Sequence, residues 1–348
     1  MLCARIVASY WSPTILAWFP ALFAILIAIL VVGSPATAEI ADLRIARCSS
    51  TGCLPIMLVE HERLIEKHAK LMGLGDVTVD WRLVNDGSFI NAGIIAGEIH
   101  VAATGTGAFV TLWGRTKGHL EAKGISALSA ASLSLVTRNP AVTSIRDLGD
   151  GDRIALPAAV ISIHATTLQR AAVETFGDRA WAKLDRLTVS MAPPQGYTAL
   201  TSGTEITSYM SHPPWTERAL RHPGIRRILS SDDVWGGRLT TFVVYATSRF
   251  RDDNPKLYVA IRAALADGFA MLAGDPRRAA EVYLRMSGDR ATVDDILKDL
   301  ASPDQTFSEV PQRMFAFAEF KRRIGVLKEA PASWKDMFFP ELHDRPGN

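Results

Sequence analysis

Cysteine is scarce in this sequence: three in 348 residues, at positions 3, 48 and 53. A zinc knuckle around Cys48 and Cys53 would want two further ligands at matching spacing, and none follows. Four residues separate the pair where a redox CxxC motif has two. The phosphate loop GxxxxGK[ST] and the nucleophile elbow GxSxG are both missing. "GTGAFV", from Gly105, opens like a dinucleotide fingerprint. It puts Val110 at the third glycine position, however, and it follows a third strand rather than a first. "HERLIEKH" spaces His61 and His68 seven apart, which is not HExxH; on a helix they share a face as packing-edge residues. "DLGDGDR", from Asp147, lacks calcium-loop spacing and reads as a solvated turn. Charge of one sign is lacking as well. The 38 Lys and Arg nearly balance 36 Asp and Glu, for a net +2. No run of like charges marks a nucleic-acid footprint. No repeat of fixed period and no low-complexity segment occurs. The eight histidines are scattered with no readable base–nucleophile pair, so no catalytic residue, metal or cofactor is expected.

One long apolar run is present. "TILAWFPALFAILIAILVV" covers 14–32, after the single basic residue Arg5 and before Gly33, Ser34 and Pro35. "ATA" at 36–38 supplies small residues three and one before a cut, which predicts a signal peptide over 1–38 and a mature start at Glu39. The run approaches the roughly 20 residues that span a bilayer, so an uncleaved anchor is the alternative. No cysteine follows it closely, so no lipidated start is expected. Cleavage takes the net charge from +2 to +1 and leaves residues 39–348, enough for two domains or one large one. Export to an oxidising compartment favours a disulfide between Cys48 and Cys53. Closing so short a loop stabilises by about 2 kcal/mol in the chain-entropy model. Two reduced cysteines packed as small apolar residues are the alternative.

Strands and helices alternate along the chain. Residues 42–48 and 77–84 read as strands around a helical stripe over 54–72. A helix over 88–97 opened by Ser88, a strand over 99–104 and a glycine-led helix come next. The run 124–140 is long, strand-like and without a following helix. Alternation resumes with strands at 152–157, 187–192 and 205–211 and helices at 162–177, "PPQGYTALTSG" and "PPWTERALRHPG". "IRRILSS" reads as a strand, and 238–247 as a second long strand without an immediate helix. Helices follow, the first opened by the cap pair Asn254 and Pro255, the last spanning "SEVPQRMFAFAEFKRRIG". Such alternation implies parallel sheets covered on both faces. Two α/β blocks, about 40–130 and 140–235, are therefore expected, with the two long strands crossing between lobes.

Polar, small-residue segments stand at the carboxyl ends of these strands: Ser49, Ser50 and Thr51; Thr104, Gly105, Thr106 and Gly107; Ser162 to Thr166; and Ser211, His212, Pro213, Pro214 and Trp215. Ligands of open α/β sheets sit outside such ends, and the free N–H groups of helix starts favour anions. Helix capping would explain any one segment alone. Four at equivalent places predict a shared cleft.

The segments "LVTRNPAVTSIRDLGDGDRIALP", "LQRAAVETFG", "ALTSGTEITSYMSHPPW", "SSDDVWGGRLTTFVVYAT" and "APASWKDMFFPELH" carry a resemblance. The chain resembles exported substrate-binding proteins of ABC importers in the nitrate, taurine and alkanesulfonate group, which share a fold with thiamine-precursor proteins. The likeness covers nearly the whole chain and lies in segment order, with no single diagnostic motif. It implies a two-lobe type II periplasmic binding protein fold with two crossover strands, lobe I comprising 39–133 and 240–348 and lobe II 134–239. Ligand contacts would fall at Ser49, Ser50, Thr51, Thr104, Gly105, Thr106, His164, Thr166, His212, Pro214 and Trp215. The cysteine bracket departs from what the family at large leads one to expect. His164 stands where a small hydroxyl residue is expected, either donating to an anion or capping its helix. Trp215 covers the apolar part of a ligand or belongs to the core. Arg47 and Arg138 either supply charge to the cleft or stand at the surface, and since sequence does not aim them inward they read first as surface charges. The resemblance implies a monomeric periplasmic receptor for a small anionic, sulfonate-like or amide-bearing molecule, partnered by a permease and an ATPase. A pyrimidine-precursor synthase on the same fold and a ligand-sensing ectodomain are the alternatives.

Overall fold

The computed structural model describes residues 39–84, 86–159 and 162–348. The expected signal peptide, with its apolar run and its cut after Ala38, lies outside the described residues. The first block runs β1 (Asp42–Arg47), α1 (Leu54–His61), α2 (Leu64–Leu71), β2 (Thr78–Leu83), α3 (Gly87–Ala96), β3 (Val101–Gly105), α4 (Thr106–Thr116) and β4 (Ala122–Ala131). The second runs β5 (Ser134–Thr137), β6 (Ile154–Leu156), α5 (Ile163–Phe176), β7 (Thr188–Ser190), α6 (Pro193–Ser202), β8 (Ser208–Ser211), α7 (Trp215–Leu220), β9 (Arg226–Ser230) and α8 (Ser231–Trp235). The remainder is β10 (Leu239–Thr247), α9 (Ser248–Asp253), α10 (Pro255–Gly274), α11 (Pro276–Ser287), α12 (Val293–Leu300), β11 (Gln305–Phe307) and α13 (Met314–Arg323).

Two sheets form. The first has the order β11-β4-β10-β3-β1-β2 and the second β7-β6-β8-β5-β9. β1 pairs in parallel with β2 and β3, and β6 with β7 and β8, while β10 and β5 run antiparallel to their neighbours. Strands buried on both faces read as continuous apolar runs, as in β3 and the Val243–Ala246 stretch of β10; β1 starts on alternating charged and apolar residues, with Asp42 exposed and Arg44 half-buried. One face of the first sheet carries α1, α2, α10 and α11 around Leu43, Ile45 and Val244. α1 is apolar on every side through Leu54, Ile56, Met57, Leu58 and Val59, as a helix enclosed on all sides must be. Gly268 of α10 faces it; a Cβ there would meet Pro55 O at 2.5 Å, so only glycine permits this approach. Among the described residues, α10 is the one helix long and apolar enough to cross a membrane, and it packs on α1 and α2 as a core helix. The core on the other face of the first sheet is continuous with that of the second sheet. Trp235 of α8 links the two, packing on Phe317 and Phe320 of α13 and donating its indole N–H to Thr167.

Four expectations need correction. The run 124–140 is two strands. β4 pairs within the first sheet and β5 within the second, and the chain crosses at Ser132 and Leu133. There the Leu133 N–H donates to Ser231 Oγ and the Ser132 N–H to Asp304 O, which satisfies the backbone during the crossing. The second long strand, β10, lies wholly in the first sheet; α8 and its glycine-rich end make the return crossing. The stripe over 54–72 is two helices, because Arg63 adopts a left-handed conformation with φ 54°. The last helix starts only at Met314. Residues before it stay extended, their carbonyls accepting N–H groups of Ala127 and Thr240, and Pro311 disfavours an earlier start. Two helix caps also differ. Asp86, not Ser88, caps α3. Asn254 does not cap α10; its side chain binds Ile40 and Phe250, and the Glu39 carboxylate takes the N–H groups of Lys256 and Leu257.

Candidate functional site

The carboxyl ends of all six parallel-paired strands open on one cleft of about 1550 Å³. β1 delivers Ser49 and Ser50, β2 delivers Asp86 and Ser88, and β3 delivers Thr104 and Gly105. From the second sheet, β6 delivers Ser162 and His164, β7 delivers Ser190 and Met191, and β8 delivers His212 and Trp215. Helices start directly after most of these ends, so their first N–H groups have no intrahelical partner. Asp86 and Ser162 cap α3 and α5 with their side chains. Gly105 leaves α4 without a side-chain cap, and its first N–H groups remain for a ligand or water; α6 also lacks a side-chain cap, but Pro193 and Pro194 at its start carry no N–H.

The first-sheet wall is pinned. Cys48 and Cys53 form a disulfide with Cα atoms 6.1 Å apart. Cys53 is wholly buried, while Ser49 and Ser50 stay half-buried at the cleft surface. Gly52 lies against β4 and β10; a Cβ there would meet Phe242 and Ser129 at 2.7 Å. Arg47 is 6% exposed and forms an ion pair with Glu60, donating also to Cys48 O. It is a buried strut beneath the bracket, which corrects its reading as a surface charge. Arg138 is exposed, as expected.

The second-sheet wall holds two imidazoles. His164 and His212 lie edge to face with ring centres 5.4 Å apart. Both are about 5% exposed. Ser162, not His164, caps α5, and both His164 ring nitrogens lack a hydrogen-bond partner among the described residues. His212 reaches across the cleft, its Nε2 standing 3.4 Å from Ser50 Oγ, and its ring lies 5.8 Å from that of Phe242. Burial pushes His164 well below the ordinary histidine range, with His212 adding to it. Burial likewise pushes His212 down to about 4. Both rings are therefore neutral at pH 7. Next to them Trp215 and Tyr197 form an aromatic wall, 5.9 Å between ring centres, so Trp215 is half-buried in the cleft rather than in the core.

At the far rim Arg218 of α7 donates to Asp289 at 3.2 Å and to Asp299 of α12 at 2.6 Å, and Glu217 pairs with Ser302. These bonds tie a second-sheet helix to the C-terminal helices covering the first sheet. Burial pushes the Asp299 and Glu217 carboxyls up.

Of the residues expected at the site, Ser49, Ser50, Thr104, Gly105, His164, His212 and Trp215 line the cleft, and Thr51, Thr106, Thr166 and Pro214 do not. Thr106 donates its hydroxyl to Thr240 O at 2.6 Å, and Thr166 bonds back to Ser162 O at 3.1 Å. Thr51 is 1% exposed inside the bracket, and Pro214 is buried as the residue that opens α7. Sequence reasoning missed Asp86, Ser88, Ser190, Met191 and Tyr197. The strand-end rule that found the other segments applies equally to β2 and β7. Nothing local marks Arg218 or Asp289, which the return of the C-terminal helices brings to the rim.

No family model and no curated protein matches the chain. Solved structures do. The periplasmic aliphatic sulphonate binding protein SsuA from Escherichia coli matches with a TM-score of 0.63 at 16% identity, over 86% of this chain and 92% of its own. The alkanesulfonate-binding protein SsuA from Xanthomonas axonopodis pv. citri, bound to MOPS, gives 0.59 at 16%, over 84% and 96%. The periplasmic nitrate-binding protein NrtA from Synechocystis PCC 6803 gives 0.63 at 13%, over 86% and 84%. The chain has the periplasmic binding protein fold, with its mixed sheets and two crossings.

Proposed function

We propose that the protein is the exported solute-binding component of an ABC import system and takes a small anionic, sulfonate-like molecule between its two sheets. The observation that carries this reading is the convergence of six parallel strand ends, three from each sheet, on one cleft. The likeness to sulfonate- and nitrate-binding proteins adds the ligand class. Lobe I would comprise 39–133 and 240–348, and lobe II 134–239, each carrying one sheet. Ser49, Ser50, Thr104 and the uncapped start of α4 would hold the polar head from one side, and His164 and His212 from the other. Trp215 and Tyr197 would cover the apolar part. Closure follows to the extent that the ligand makes better contacts in the closed state. The closed monomer then docks on a permease driven by an ATPase, and the ligand leaves chemically unchanged. No residue is assigned to catalysis.

A thermal-shift screen with small sulfonates, nitrate, carboxylates and neutral amides tests the reading. Stabilisation by one small anion, recovered unchanged by NMR, is expected. Conversion of the ligand would turn the reading toward an enzyme. Mass spectrometry of the exported protein should give Glu39 as its first residue; an intact start would turn it toward an anchored ectodomain.

A further inference from the structure

The two buried imidazoles have no structural task that the fold reveals. His164 sits on the first turn of α5 at the cleft surface with neither nitrogen engaged. An unmade hydrogen bond on a buried polar group carries a cost of about 1–3 kcal/mol. His212 has only long contacts, 3.4 Å to Ser50 and 3.5 Å to Ser211. Among the described residues no lysine or arginine lines this part of the cleft; the cationic side chains on its surface are Arg218 of α7, Arg221 just after α7, and Arg290 in the loop after α11.

We propose that His164 and His212 are the specificity-determining pair for the ligand head group, and that an anion binding between them and Ser50 takes up one proton from solvent. The proposal rests on the receptor reading above and deepens it. An anion entering a floor of neutral imidazoles leaves the low-dielectric site with an unbalanced charge, which protonation of one ring relieves. The ring then donates from one nitrogen to the anion, and the second imidazole, still neutral, accepts or donates as the ligand requires. The selected ligand is thus an anion small enough for its head to touch both rings, and the site favours it more as pH falls.

The groups around the pair support this linkage. His164 is shifted by burial and by His212 alone, and His212 chiefly by burial. Asp86 at the end of β2 lines the first-sheet side of the cleft, its carboxylate engaged by Ser88 and Phe89 N–H groups. α7 presents Arg218, the turn after it presents Arg221 and His222, and the loop after α11 presents Asp289 and Arg290. Tyr283 and Asp295 lie on the same rim. Of the helices packed on α5, α8 carries Asp232 and Asp233, and α4 carries Arg115 in its last turn. The 3-10 turns that meet α5 carry Arg146 with Asp147, Asp178 with Arg179, and Asp185 with Arg186, the Asp185 carboxylate accepting from Gln169 of α5. None of these is a cause of the shift at either imidazole.

Calorimetric titration of the purified protein with methanesulfonate, MOPS and nitrate tests the proposal. The titrations belong in Tris and triethanolamine, cationic buffers of different ionisation enthalpy that do not compete as anions. The expected result is uptake of about one proton per anion bound and a Kd tightening about tenfold per unit between pH 8 and pH 6. His164→Gln and His212→Gln keep hydrogen-bonding capacity without the ability to become cations, and each should weaken binding and flatten the pH dependence. Binding with no proton uptake and a pH-independent Kd would overturn this inference and leave the receptor reading intact. Binding of none of the three anions at pH 5.5 would overturn the inference together with the anionic part of that reading.

Discussion

The two walls of the cleft are held by opposite means. On the first-sheet side a disulfide, a glycine pressed against Phe242 and a buried Arg47–Glu60 pair fix the loop that carries Ser49 and Ser50. On the second-sheet side His164 and His212 are buried but largely unbonded, and the firm polar contacts lie at the rim, where Arg218 meets Asp289 and Asp299. At the cleft surface the first-sheet wall is built on paired groups, whereas His164 presents two buried nitrogens without partners among the described residues. Stability and affinity should therefore respond to different residues.

Arg218→Ala should give the largest loss of stability, about 3 kcal/mol by urea unfolding. It leaves the nearly inaccessible Asp299 carboxylate without its partner. An unchanged midpoint would mean the rim contributes nothing to the scaffold. Acid should strike the other wall. The His212 imidazole titrates near 4 in the fold and near 6.5 when unfolded. As pH falls below 6.5 the unfolded chain takes up a proton that the folded chain refuses. Stability is then lost progressively down to about pH 4, by about 3 kcal/mol for this group. His212→Gln should remove that part of the slope in pH-dependent melts. Cys53→Ser should cost about 2 kcal/mol, from the loop it opens, and should weaken ligand affinity through a less ordered Ser49 and Ser50. Gly52→Ala should cost about 1–2 kcal/mol, because its Cβ meets the Phe242 ring and Ser129. His164→Gln should cost no more than about 1 kcal/mol of stability at pH 7, because neither ring nitrogen gives up a hydrogen bond, while lowering affinity; this split between the two readouts sharpens the contrast most.

The order of elements, the parallel pairing and four of the six strand ends at the cleft were legible, because they rest on local periodicity and on where helices start. The run after Gly124 shows the limit. Nothing in its apolar composition marks Ser132 and Leu133 as the point where one sheet ends and another begins. Their partners, Asp304 and Ser231, lie about a hundred or more residues away in sequence. Thr106 and Thr166 show another limit. A hydroxyl at a helix start looks the same in sequence whether it faces the cleft or bonds to a nearby carbonyl, as both do here. The Arg218 rim depends on the C-terminal helices folding back, and no local pattern encodes that return. His164 departs in sequence from the expected hydroxyl residue, but its lack of partners follows from α5 packing against the loop after β8, a long-range contact that no local pattern encodes.

The most direct test is hydrogen exchange on the purified protein, with and without a saturating small alkanesulfonate. Slowed exchange in segments 48–54 and 104–110 from the first sheet, together with 162–168 and 211–217 from the second, is the expected result. Protection confined to one of the two sheets, or lying away from both sets of strand ends, would contradict a ligand held between them.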